Sequence, residues 1–130
     1  MKKDTEIWLL YADDNLKSTR VLLDSKLYNP CLQNAQQAVE KYLKALLIEN
    51  AAGLLKTHSI RELATLLEER NVYLSITEDE IDLLDSVYLP TKYPAFSVLP
   101  HFAPDHALCE QCLNIAERVR DDVSRETKKI

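Results

Sequence analysis

The sequence predicts an all-α fold, an antiparallel up-and-down four-helix bundle with one additional short helix. The chain has one glycine in 130 residues, which argues against sheets joined by tight turns. Its apolar residues recur every three or four positions, the spacing of one helical face. Helix-start signals, a small hydroxyl residue with glutamate three positions later, stand between those runs.

The first helix is expected from about Asp4 to Leu27, with Trp8, Ala12, Leu16, Thr19 and Leu23 on one stripe. Asn29 and Pro30 break the chain, and Pro30 suits a helix start, where its missing N–H costs nothing. The second helix then runs to about Ala52, with Ala35, Val39, Tyr42, Leu46 and Glu49 on one face. Glu40 and Lys44 sit one turn apart in the favourable order. Gly53 is the expected left-handed stop, and the capping box of Ser59 and Glu62 opens a third helix, Ile60 to about Arg70. Thr77 with Glu80 opens a short fourth helix ending near Tyr88. Asp105 caps the last, which carries Leu108, Cys112, Ile115, Val119 and Val123 on one stripe to about Thr127. Residues 1–130 read as one domain, with a polar tail over 121–130 expected to fray.

Composition narrows function. The net charge of −5 provides no global attraction for nucleic-acid phosphates, so such binding needs a local basic patch. No apolar run approaches the roughly 20 residues of a membrane span, and the run at Ile7–Ala12 is too short for a signal-peptide core. Three cysteines, an odd number, fit a reduced compartment, and the expected location is cytoplasmic.

Several chemical signals are absent: a glycine-rich phosphate loop, an HExxH pair and a nucleophile elbow. His101, His106, Cys109 and Cys112 offer four zinc-type ligands in "HFAPDHALCEQC". Both cysteines also suit a helix core, and no second CxxC completes a structural site, so no metal or other cofactor is assigned. A basic cluster, Lys41, Lys44, Lys56, His58 and Arg61, reads either as a solvated face or as a phosphate site, because His58 abuts the cap of the third helix. In "YLPTKYPAFSVLPH", Tyr88 to His101, Pro90 and Pro94 restrain the backbone around Lys92 and Tyr93. There Lys92 can meet phosphate and Tyr88 or Tyr93 a base or sugar, or the stretch is simply an elbow plugging the bundle's end.

Taken together, "NAQQAVEKYLKALL", "KTHSIRELATLL", "YLPTKYP", Trp8 followed by "ADDNL", and "ALCEQCLNIAERV" resemble the HEPN family over nearly the whole chain. The resemblance implies a helical bundle, usually homodimeric, often encoded beside a small nucleotidyltransferase. It implies a functional cleft near the second helix and the loop after the fourth, which brings in Gln37, Lys41, His58, Tyr88, Lys92 and Tyr93; with Lys44 of the basic cluster, these are the expected nucleotide- or phosphate-binding residues. Ribonuclease members of the family carry an arginine with a histidine shortly after it, and no arginine here has one. No catalytic residue is therefore assigned. The expected function is a non-catalytic module that binds a nucleotide or RNA phosphate as the partner of a nucleotidyltransferase. The alternatives are a metal-independent ribonuclease toxin of a toxin–antitoxin pair, using His58 or His101, and a scaffold bundle without a ligand.

Overall fold

The computed structural model describes the backbone of residues 1–53, 55–92 and 103–128, and the side chains of these except 89–92. It contains five helices: α1 (Lys3–Asp24), α2 (Tyr28–Glu49), α3 (Ile60–Glu68), α4 (Glu78–Lys92) and α5 (His106–Thr127). The fold is all-α, with no strand among the described residues.

The reason α2 becomes the hub is written in its composition. Its turns carry Ala35, Ala38 and Ala45 beside Leu32, Val39, Leu43, Leu46 and Leu47, all buried, so the helix is apolar on most of its circumference. The small residues admit close neighbours, and α2 packs against each of the other four helices. On α1 the buried stripe is Ala12, Leu16, Thr19 and Leu23, with Trp8 half-buried, and on α5 it is Cys112, Ile115, Val119 and Val123. Burying a side chain such as Leu43 or Leu46 contributes roughly 1.5–3 kcal/mol.

Three helix ends differ from expectation in one shared way. Gly53 does have a positive φ, 78°, but α2 has already stopped at Ala51 with φ 61°. The Ala51 N–H donates to the Ile48 carbonyl and the Ala52 N–H to Leu47, the paired bonds of a Schellman stop. Lys26 (φ 58°) ends α1 and Asn71 (φ 61°) ends α3 with the same pair of bonds. These satisfied carbonyls, rather than a glycine, terminate the helices, and α1 and α2 finish earlier than Leu27 and Ala52.

The fourth helix is longer than the sequence suggests. It was expected to end near Tyr88, with Lys92 on an extended proline-restrained segment, but α4 runs through Pro90 to Lys92. A proline in the last turn forfeits its own bond to the preceding turn and crowds the carbonyl four residues back, but leaves few later turns to disturb. Buried Ile81, Leu84 and Val87 hold the helix onto the core as far as Val87. Lys92 is thus the last residue of α4.

Polar clasps fix α3, α4 and α5. Thr77 Oγ1 accepts from the Glu80 N–H at 3.2 Å while Glu80 Oε1 accepts from the Thr77 N–H at 3.0 Å, a reciprocal capping box. Glu80 also accepts from Arg118 of α5. Buried Asp122 accepts from both the N–H and the hydroxyl of Ser75 at 2.8 Å. As expected, Asp105 caps α5, accepting from the Leu108 N–H at 2.8 Å. The helix then continues to Thr127, through most of the segment expected to fray.

Candidate functional site

Successive turns of α2 put Gln36, Glu40 and Lys44 on one line, since a spacing of four returns almost to the same helical face. The line faces neither bulk water nor the leucine core. Glu40 is 3% and Lys44 5% exposed. The Lys44 ammonium lies 3.0 Å from Glu40 Oε2 and 5.7 Å from the centroid of the Trp8 ring. A buried ion pair needs its remaining lone pairs satisfied. Glu40 Oε1 meets that need, with His58 Nδ1 at 3.1 Å and Gln36 Nε2 at 3.5 Å.

His58 is held at three points and is otherwise open. Its main-chain carbonyl accepts from Gln36 Nε2 at 3.3 Å, its ring is tethered to Glu40, and one ring face stacks on Tyr88 at 5.0 Å and 23°. Half of the side chain is still exposed. Gln37 extends the network by donating to Gln36 Oε1 at 2.8 Å. Lys41 occupies the α1–α2 seam, 2.6 Å from Asn15 Oδ1 and 6.0 Å from the Tyr11 ring centroid. Burial draws the Lys41 ammonium below its usual pKa, while the neighbouring Glu40 charge resists that shift.

Of the residues singled out in the sequence, Lys44, His58 and Tyr88 meet around Glu40. Gln37 joins through Gln36, and Lys41 stands alongside. The Lys92 side chain and all of Tyr93 lie outside the described residues. Lys56 is exposed. Arg61 turns instead to α4, 2.5 Å from Glu78 and 2.6 Å from Asp82. Asp85 takes the start of α3, accepting from the Ile60 and Arg61 N–H groups at 2.7 and 3.1 Å. An internal carboxylate therefore occupies the helix end that the sequence offered to a phosphate.

Glu40 and Gln36 were missed as site residues, although the spacing of four among Gln36, Glu40 and Lys44 in an apolar helix was a usable signal. Asp85 carried no such signal. The zinc-type ligands divide: Cys109 and Cys112 are buried, whereas His106 is exposed and 3.6 Å from Glu110. Burial pushes the Cys109 and Cys112 thiols up to about 12, and the Cys109 thiol donates to the Tyr28 carbonyl. Among the described residues no three His, Cys, Asp or Glu side chains converge as metal ligands, and His101 lies outside them. No described helix is long and apolar enough to cross a membrane.

The fold has counterparts. The chain is similar to TT1696 from Thermus thermophilus, with 27% identity over 95% of this chain and 98% of that one, at a TM-score of 0.78. It is similar also to ST0689, described as an archaeal HEPN homologue, at 26% identity, 97% and 98% coverage and a TM-score of 0.69. No curated protein sequence matches. The HEPN domain model matches residues 5–127, nearly the full length, and the chain belongs to the HEPN family.

Proposed function

We propose that the protein is a non-catalytic module that binds a nucleotide or RNA phosphate and acts as the substrate-binding partner of a small nucleotidyltransferase, working as a homodimer. The observation that carries this reading is the half-open polar cluster of Glu40, Lys44 and His58, bounded by Trp8 and Tyr88. Because Glu40 neutralises Lys44, direct phosphate contact falls to Lys41 and Lys92, with aromatic rings available for a base or sugar. Family membership supports the nucleotide. Titration with ribonucleotides and short RNAs, with and without a co-purified nucleotidyltransferase, tests it. Binding that Lys41→Ala and Lys92→Ala each weaken tenfold or more is the expected result; binding indifferent to both removes the proposal.

The Glu40–His58 hydrogen bond favours one second reading, RNA cleavage with His58 as acid or base. Purified protein that leaves RNA intact in the absence of metal excludes it.

A further inference from the structure

The proposed site contains a carboxylate–imidazole pair whose geometry restricts what the imidazole can recognise. Glu40 Oε2 is 3.0 Å from the Lys44 ammonium in a buried ion pair, so the carboxylate is ionised and can only accept hydrogen bonds. Its other oxygen lies 3.1 Å from His58 Nδ1. In a neutral imidazole, that contact requires the proton on Nδ1 and leaves a lone pair on Nε2. Two further contacts fix the residue beside Glu40: Gln36 grips the His58 main-chain carbonyl, and Tyr88 covers one ring face. Among the described residues, Nε2 has no hydrogen-bond partner, and half of the side chain reaches solvent.

A lone pair repels a phosphate oxygen and attracts a hydroxyl hydrogen. We infer that Glu40 is a positioning residue that holds His58 as its Nδ1–H tautomer, so that Nε2 accepts a hydrogen bond from a sugar hydroxyl of a ribonucleotide. In a nucleotide, the sugar hydroxyls are the donors nearest the phosphate, and Lys41 supplies a cation beside the cluster. In its neutral form His58 therefore reads the sugar rather than the phosphate. This specificity rests on the nucleotide-binding reading above, whereas the tautomer does not.

Two measurements on the full chain separate them. Nitrogen-15 NMR of the imidazoles, taken where His58 is neutral and assigned with His58→Phe, reports which ring nitrogen carries the proton. The expected spectrum has a protonated Nδ1 and an unprotonated Nε2. In Glu40→Gln the amide oxygen turns to the Lys44 ammonium and its NH2 faces Nδ1, which moves the proton to Nε2. A purely structural Glu40 leaves the tautomer unmoved. The wild-type spectrum stands alone if that variant does not fold, and a protonated Nε2 in it overturns the inference.

Calorimetric titration then compares ribonucleoside 5′-monophosphates with their 2′-deoxy and 3′-deoxy counterparts. Loss of one neutral hydrogen bond weakens binding by about tenfold. That loss is expected for one of the two deoxy forms in the wild type, and is expected to vanish in His58→Phe, which retains a ring against Tyr88. Equal binding of all three overturns the sugar-reading role and leaves nucleotide binding standing. No binding of any overturns both, and the tautomer result still decides the role of Glu40.

Discussion

Glu40 and Lys44 are one turn apart on a helix that otherwise forms the core. Their ion pair is buried and close, so its Coulombic gain is set against a desolvation cost of several kcal/mol per charge. Replacing one member removes the gain and leaves the cost. Glu40→Ala is expected to destabilise the fold by about 3–5 kcal/mol in urea titration, and the double replacement Glu40→Leu with Lys44→Met to recover most of that loss. Recovery identifies the pair as a site feature retained against stability; no recovery identifies it as a structural tie. The sequence already showed the two charges as neighbours. What it could not show is their depth, because the spacing of an exposed helix pair and of a buried one is the same. Similarly, His58 was legible as a residue beside a cap. Its partner was not, since eighteen positions separate it from Glu40.

At the scale of elements, helix existence was legible because periodicity and caps are local. Thr77–Glu80 and Asp105 form the caps their spacing implies. The ends were less legible, because the sequence points to a left-handed stop at its one glycine, whereas Lys26, Ala51 and Asn71 adopt that conformation where the helices actually end. An L-residue pays roughly 1–2 kcal/mol there, partly offset in a glycine by greater freedom when unfolded. Ala51→Gly is accordingly expected to stabilise by about 0.5–1 kcal/mol, seen as a melting temperature a few degrees higher. A lower melting temperature contradicts the strain assigned to Ala51. Asp85 is the counterpart at a helix start. Removing its carboxylate with Asp85→Ala is expected to cost about 1 kcal/mol and to speed amide exchange at Ile60 and Arg61.

For the whole molecule, acid sensitivity follows from the α4–α5 clasp. Burial alone raises the Glu80 pKa, but hydrogen bonds from Arg118 and Thr77 outweigh it and the net shift is downward. A carboxyl depressed in the native state contributes stability that is present above its unfolded pKa, roughly 4.3, and is lost as pH falls through its lower native value. The urea midpoint is expected to hold from pH 7 to about 5 and to drop below about 4, with a smaller drop in Glu80→Gln. An unchanged midpoint at pH 3 assigns no such role to the clasp.

The central position of α2 has a practical consequence for assays. One helix carries both the packing against all four neighbours and the line of Gln36, Glu40 and Lys44. Random loss-of-function variants in α2 will thus be dominated by chains that fail to fold, and say little about recognition. The same arrangement makes occupancy readable as heat resistance. A ligand at a hundred times its dissociation constant, if it binds only the folded chain, adds about 2.7 kcal/mol. A thermal-shift screen of unmodified protein can therefore find the ligand before any residue is changed.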